Sequence, residues 1–586
     1  MPDAIAAAAS TAEAAEPNPN AGPDFRFHRD ALQYRRETAD GDEWVFLCPK
    51  VEVLARTRDG ENTNWGRLVS FKDSDGNPHE LSLPMEEITK GSQGLVIGML
   101  ASHGLDVPTN TGPKGKLLQY LAQAKPDGRY RCVVQVGWSG GTFVLPNETF
   151  APEGADRILY QPEAIGGDHN YRTAGTLREW QQSVAAHCRG NSRLVLAMSL
   201  AFAGPLLDLA GAESGGVHLR GASSTGKTTA LEVAGSVWGG GGARGFAQPW
   251  RATDNALEAL AAAHCDTLLC LDELGEAQSK AAGQSAYMLA NGQGKQRMTR
   301  GAALKRSHRW RILFLSTGEI SLADKIAEDG RGGRARAGQE VRVLDVAADA
   351  GAGLGLFEDI GDAESASHFA QRLKQSVKAN HGEAGRAYLR YLVDHRKQAA
   401  VIIQRIQDQL IGANRPHQAD GQVERALRRF ALIAAAGELA RHTNVLPWPD
   451  GAASEAVMTC FKAWIDGRGG AEPQEVREGI SQVRKFLQEH GASRFQGWDS
   501  NDRVLNRAGF FETDGDGQRR FHIMSEIFKS EVTAGFDSVA LAKAMVARGF
   551  LDPEKSGRSA VSRYVPALGS NARLYQINPS ILEGGE

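Results

Sequence analysis

From residue 25 to about residue 171, polar and apolar positions alternate in short runs (44–47, 67–71, 131–138 and 142–145) separated by turn sequences. A period of two marks half-buried strands, so this stretch predicts a β-rich domain with one or two helices. One turn, Asp73-Ser74-Asp75-Gly76-Asn77-Pro78, carries a D-x-D spacing that would suit a metal ion. The Gly, Asn and Pro that follow favour a hairpin turn instead.

The rhythm then changes. Between 176 and about 350, continuous apolar runs at 267–271 and 312–315 alternate with helical patterns at 230–238, from about Thr253 or Asp254, and at 277–290. Unbroken apolar runs are how strands buried on both faces read. Strands alternating with helices predict a doubly wound parallel sheet with helices on both faces. The run 194–207 contains Pro205 and is shorter than the ~20 residues needed to span a bilayer, which predicts a buried helix and no membrane span.

Residues 365–445 are almost wholly helical in pattern, including 423–441, and read as a helical lid. Beyond a Pro- and Gly-containing connection at 447–451, helical patterns at 480–489 and 538–549 precede a terminal strand at 572–577. That order predicts a small winged-helix-like module. The organisation expected is a disordered tail (1–22), a β-rich N-terminal domain (23–175), an α/β core (176–350), a helical lid (351–446), a linker (447–475) and the winged-helix-like domain (476–586).

Composition narrows the function classes. The chain of 586 residues has 67 basic and 70 acidic side chains and a net charge of -3, so no global basic field recommends a nucleic-acid partner and any such signal must be local. The six cysteines form no C-x-x-C pair, against a zinc ribbon or a disulfide framework. The first 22 residues lack a basic start and an apolar core, unlike a signal peptide, and the expected location is cytoplasmic.

Against that background one motif stands out. Gly221-Ala222-Ser223-Ser224-Thr225-Gly226-Lys227-Thr228-Thr229 sits between an apolar run with Val217 and Leu219 and a helical pattern, the setting of a Walker A phosphate loop. Small residues let backbone amides wrap phosphates, the following helix turns its positive end toward them, Lys227 supplies a cation and Thr228 a hydroxyl for Mg2+. The run ending in Asp272-Glu273 has the form of a Walker B strand. Asp272 is expected to hold the metal, and Glu273 to orient and polarise the attacking water. At the end of the next strand, Ser316 or Thr317 takes the place of a polar sensor.

Two basic segments add to the picture. Residues 294–311 carry Lys295, Arg297, Arg300, Lys305, Arg306, Arg309 and Arg311 with no acid, and Arg300-Gly301 between alternating arms suggests a β-hairpin that tracks a phosphate backbone without reading sequence. Residues 329–339 combine glycines with Arg331, Arg334 and Arg336, where an arginine finger would reach a neighbouring subunit's nucleotide. Arg342, Arg425 and Arg428 are further candidates, the last two for a second sensor on the lid helix.

The stretches GASSTGKTTALEVAGSVWG, LCLDELGE, GKQRMTRG, WRILFLSTGE and GQEVRVLDV, with WGRLVSF and VGWSGGTFVLP upstream, closely resemble the domain of unknown function 927 family of bacteria and mobile elements. Members are similar to hexameric AAA+ helicases of the MCM and superfamily 3 type. The resemblance implies an ATP-driven ring helicase that unwinds DNA for a mobile element or phage, as a homo-hexamer with ATP and Mg2+ as cofactors and replication or loading proteins as partners. It implies a P-loop AAA+ core, with Lys227, Thr228, Asp272 and Glu273 in their usual roles and the basic segment as the hairpin before sensor 1. Two departures matter: the sensor position lacks Asn, and the N-terminal domain has no zinc-binding cysteines. The alternative expectation is a non-motor nucleotide switch that binds DNA or a protein without processive unwinding.

Overall fold

The computed structural model describes residues 22–583 apart from 91–92, 147, 162–168, 241–244, 278, 296, 299–303, 306–307, 329–341, 417–418, 471–473, 501 and 516. The chain forms two compact units, one from the segments up to Gly333, Asp345–Leu410 and Phe430–Cys460, the other from Arg334–Leu344, Ile411–Arg429 and Phe461–Glu586.

The first unit begins with an antiparallel sheet of β1 (Phe25–His28), β2 (Ala31–Thr38) and β3 (Gly41–Pro49). A five-stranded sheet follows, built from β4 (Val51–Arg58), β5 (Gly66–Lys72), β6 (Pro78–Pro84), β7 (Gly128–Val133) and, beyond the short β8 (Gly137–Ser139), β9 (Thr142–Val144) and β10 (Thr149–Phe150), β11 (Ile158–Tyr160). Its order is β11-β7-β4-β5-β6, with β4, β5 and β6 antiparallel and β7 and β11 added in parallel. Val53, Val69, Phe71 and Leu83 share a core with Ile88 of helix α1 (Met85–Thr89), Leu100 of α2 (Gln93–Ser102) and Leu117 and Leu121 of α3 (Thr111–Gln123).

The D-x-D segment is the β5–β6 turn. Asp73 Oδ1 accepts the amides of Asp75 at 3.0 Å and Asn77 at 2.7 Å, and the His79 ring beside it holds the Asp73 carboxyl down to about 2. A carboxylate consumed by its own turn accounts for the D-x-D spacing without a metal.

The α/β core of this unit starts with α4 (Ser192–Ala203), the helix expected from the long apolar run. Every one of its residues is buried. Next come β12 (Gly215–Arg220), α5 (Lys227–Gly235), β13 (Gln248–Pro249), α6 (Asp254–Ala263, with Thr253 as its N-cap), β14 (Leu268–Asp272), α7 (Ser279–Asn291), the short pair β15 (Arg297–Met298) and β16 (Leu304–Lys305), β17 (Leu313–Gly318) and β18 (Val343–Ala347). The sheet order is β13-β14-β17-β12-β18, and β12, β14 and β17 run parallel. β17 therefore lies between the strand that leads into the phosphate-loop motif and the strand that ends in Asp272. Trp138 ties the N-terminal part to this core, its indole donating to Pro205 O at 2.8 Å and its amide to Asp266 Oδ2 at 2.9 Å. Helices α8 (Ala366–Ala379) and α9 (Glu383–Asp394) follow, and parts of the helices Arg396–Asn414, Gly421–His442 and Ala452–Arg468 belong to the same unit.

The second unit contains helix α10 (Gln474–His490), strands β19 (Phe495–Gly497), β20 (Gly509–Thr513) and β21 (Arg519–Met524), helix α11 (Ser538–Ala547), and β22 (Leu551–Asp552), β23 (Val561–Val565) and β24 (Ser570–Ile577). The sheet order is β19-β20-β21-β24-β22, with β23 paired to β24. Val483 and Leu487 pack against Leu541 and Met545 and against the sheet residues Phe521, Ile523 and Ile577.

Candidate nucleotide and nucleic-acid sites

The loop between β12 and α5 is shaped by its glycine. Gly226 caps α5 at φ +99°, a left-handed value, and offers no side chain to the first-turn amides. A Cβ there would come within 3.2–3.3 Å of Phe357 and Leu356. The uncapped amides at the start of α5 open onto a cavity of about 380 Å³ lined by Ser223, Ser224, Thr225, Gly226, Lys227, Thr228 and Thr229. Uncapped helix-start amides form an anion site. The other end of the loop is fixed by its neighbours, the Gly221 amide donating to Gly318 O at 3.1 Å.

Lys227 is only 7% exposed, and its ammonium donates to Gly221 O at 2.8 Å and Ala222 O at 2.6 Å. Among the described residues no carboxylate pairs with this buried ammonium, so its position suits an incoming anion.

Asp272 and Glu273 enter the same cavity from the end of β14. Thr317 joins them: its hydroxyl donates to Asp272 Oδ1 at 2.6 Å and accepts the Glu273 amide at 3.2 Å. Glu273 is held at φ 60°, unusual for a residue with a side chain. Such an outlier persists only when its surroundings over-determine it.

The choice between Ser316 and Thr317 follows from strand alternation. Ser316 faces the core, where its oxygen accepts the Trp250 indole N–H at 2.8 Å and its proton goes to His218 Nδ1 at 2.8 Å. His218 Nε2 donates to Ile320 O at 3.0 Å, and burial lowers its pKa and keeps the ring neutral. Ser316 is consumed there, and Thr317 faces the cavity.

Three parts of the chain that line the site carried no recognisable motif. Glu319 lies two residues past Thr317, whereas Leu354 and Phe357 come from a distant loop and Gln371 and Lys374 from α8. The loop is fastened to the phosphate loop by the Leu356 amide, which donates to Thr225 O at 2.8 Å. It is fastened to the start of α4 by Asn191, whose Oδ1 accepts the Glu358 and Asp359 amides at 2.8 and 3.0 Å. The Lys374 ammonium lies 3.4 Å from Glu232, whose pKa burial raises against the opposing pull of that ammonium.

The donor set fits a magnesium nucleoside triphosphate. An amide-lined anion cradle, a buried ammonium, the Thr228 hydroxyl and the Asp272 carboxylate line one cavity of the size that takes a small ligand.

The basic segment pairs as an antiparallel hairpin, with Arg297 opposite Lys305 and Met298 opposite Leu304. Its base is pinned by the Gly294 amide to His308 O and the Trp310 amide to Gly292 O, both at 2.9 Å. Lys295 is tied to Asp254 at 2.5 Å, so of the five nucleic-acid candidates it sits at the root of the hairpin and already has a carboxylate partner. Arg300 and Arg306 lie outside the described residues, as do Arg334 and Arg336. Arg425 is exposed on the helix Gly421–His442 and belongs to the second unit. Among the described residues, no helix is long and apolar enough to cross a membrane.

Comparisons with known proteins give a fold. A solved structure described as the active helicase Cch of SCCmec type IV superposes with a TM-score of 0.70 at 16% identity, covering 96% of this chain and 99% of that one. The likeness is one of mixed α/β fold. Another solved structure, NtrX from Brucella abortus in complex with ADP, is 13% identical over 55% of this chain and 70% of that one, with a TM-score of 0.17 that supports no argument. None of the curated proteins matches the chain. Residues 25–309 match the model of the family described as a domain of unknown function, DUF927.

Proposed function

We propose that this chain is an ATP-hydrolysing AAA+ motor that assembles as a hexameric ring and translocates on DNA to separate its strands in the replication of a mobile element or phage. One observation carries the reading: Asp272 and Glu273, bridged by the Thr317 hydroxyl through the Asp272 carboxylate and the Glu273 backbone amide, line one cavity with the loop Ser223–Thr229. Bound there, a magnesium nucleoside triphosphate supplies the bond to be broken and the cation that neutralises its oxygens. Lys227 and the first amides of α5 bind and orient the phosphates. Thr228 and Asp272 hold the ion, and Thr317 fixes the orientation of Asp272. Glu273 takes the role of polarising water, with Arg334 or Arg336 completing the site of a neighbouring subunit.

For the motor part, support comes from the hairpin Arg297–Lys305, which is placed between β14 and β17 and so connects both cavity strands to a basic loop. The fold shared with the SCCmec helicase supports it further. The functional division we propose follows the boundaries given above, with the core at 176–350 and the lid at 351–446.

Lys227→Ala is expected to abolish tight ATP binding, whereas Glu273→Gln keeps binding and loses about 10²-fold or more in turnover, because only Glu273 acts on water. Fluorescent-nucleotide titration beside a phosphate-release assay separates the two, and equal loss of affinity in both variants would count against these roles. Replacing Lys305 and Arg306 together with Ala is expected to leave unstimulated hydrolysis near wild type while unwinding of a forked duplex collapses. Unwinding at the wild-type rate would assign the hairpin to an interface. Hydrolysis that ignores single-stranded DNA altogether would point to a nucleotide switch.

A further inference from the structure

The five-stranded sheet of the N-terminal part places arginines side by side. Arg56 on β4 lies opposite Arg67 on β5 and beside Arg129 on β7, and one rank further along β4, Arg58 lies beside Arg131. Neighbouring strands are ~4.8 Å apart, and ranks two residues apart are separated by ~6.6 Å. Five arginines thus occupy neighbouring positions on one face of the sheet.

Like charges directly opposite on a sheet destabilise it, and here neutral acceptors alone offset them, among them Asn62 Oδ1 for Arg58. Among the described residues no carboxylate pairs with Arg56, Arg67, Arg129 or Arg131. Arg67 is 8% exposed and donates only to the carbonyls of Gly66 and Ala122, at 3.1 and 3.2 Å. Its Nε and that of Arg56 are buried without a hydrogen-bond partner. Burial and the neighbouring charge of Arg56 both lower the pKa of Arg67. The acid nearest in sequence, Asp59, is occupied by its own turn, accepting from Glu61, Thr63 and Asn64. At the rim Trp65 is 40% exposed, with the Arg58 guanidinium 5.8 Å from its ring centroid.

The geometry points to a second nucleic-acid contact on this sheet, in which Arg56, Arg58, Arg129 and Arg131 bind successive phosphates of a single strand over the buried charge of Arg67, and Trp65 stacks on a base. A chain of phosphates fits better than one small anion because the guanidiniums are spread over three strands and two ranks. Arginine grips phosphate with paired N–H donors, and an aromatic platform beside a cationic track is how single strands are held without sequence preference. This contact is separate from the nucleotide cavity and from the hairpin at Arg297–Lys305, and it does not depend on hydrolysis.

The test uses the full chain without nucleotide and a fluorescein-labelled oligothymidylate, followed by anisotropy over a series of KCl concentrations. Replacing Arg56 and Arg129 together with Gln is expected to weaken binding several-fold and to make the plot of log K against log salt shallower by about 1.4, at ~0.7 per lost phosphate contact. The melting temperature should stay level or rise, since two mutually repelling charges are gone. The Lys variants at the same positions should keep the salt slope. Unchanged affinity and slope in the Gln variant overturns the proposal. So does a fall in melting temperature that accompanies the binding loss and is not corrected in the Lys variant, which would make the row structural. If inorganic tripolyphosphate loses binding in the Gln variant while the oligonucleotide does not, the site takes a small anion and the proposal also fails. Hydrolysis and hairpin variants are read in separate assays, so neither result can stand in for the other.

Discussion

At the scale of single residues, Thr317 and Asp266 show what one side chain can fix. The Thr317 hydroxyl both donates to Asp272 and accepts the Glu273 amide, so Thr317→Val keeps the volume and removes both bonds. Losing a group that orients a metal-binding carboxylate costs about 10- to 100-fold in metal affinity or turnover. Thr317→Ser should recover most of it, and a Val variant with wild-type Mg2+ dependence would show that Asp272 needs no such support. Asp266 is fully buried, and Arg311 donates to its two carboxylate oxygens at 2.8 and 2.9 Å. Burial raises the Asp266 pKa, and the Arg311 bonds oppose that rise. Arg311→Leu therefore leaves a buried carboxylate with, among the described residues, the Trp138 amide as its one remaining donor, at a cost of about 3 kcal/mol near neutral pH. In that variant the folded state binds the proton more tightly than the unfolded one, so stability is lost as pH rises through the unfolded-state pKa and regained as pH falls. Chemical denaturation at pH 7 and pH 5 reads the difference, and a deficit that widens at pH 5 would contradict it.

Elements were legible in proportion to how local their signals are. The phosphate-loop turn, the buried runs of β14 and β17 and the basic hairpin each announce themselves within a few residues, by small residues at fixed spacing, unbroken apolar stretches or a turn between alternating arms. Lys374 and Phe357 did not, because their membership of the cavity depends on how α8 and a loop more than a hundred residues from the motif fold back. The arginine row escaped notice for a related reason: β4 and β7 are far apart in sequence, and only the register sets Arg56 beside Arg129. Packing between elements is just as hard to read. Gly204, just beyond α4, lies so close to β14 that a Cβ would stand 2.4 Å from Thr267 O. Gly204→Ala should cost about 1–3 kcal/mol by forcing helix and strand apart, seen as a lower melting temperature. No change would mean that the helix end shifts freely.

For the whole molecule the question is assembly. A glutamate variant that binds but does not hydrolyse should accumulate an ATP-loaded ring, so Glu273→Gln is expected to show a larger particle by light scattering with ATP than without. If a neighbour's arginine completes each site, Arg336→Ala subunits mixed with Lys227→Ala subunits should recover part of the lost hydrolysis at mixed interfaces. Demonstrated subunit exchange with no recovery would remove Arg334 and Arg336 from that role. The buried helix α4 has a bearing on how such a machine turns over. It contributes nothing to chemistry, yet Arg193 holds Ala347 O and Asp349 O at 3.1 Å, and Asn191 holds Glu358 and Asp359. The cavity wall formed by Leu354 and Phe357 is thereby anchored to a helix buried along its whole length, which ties that wall to the interior of its unit. Amide deuteration should therefore be slow in 191–203 and 354–359 alike, with or without ligand, and exchange in 354–359 much faster than in 191–203 would show that this wall moves independently of the helix.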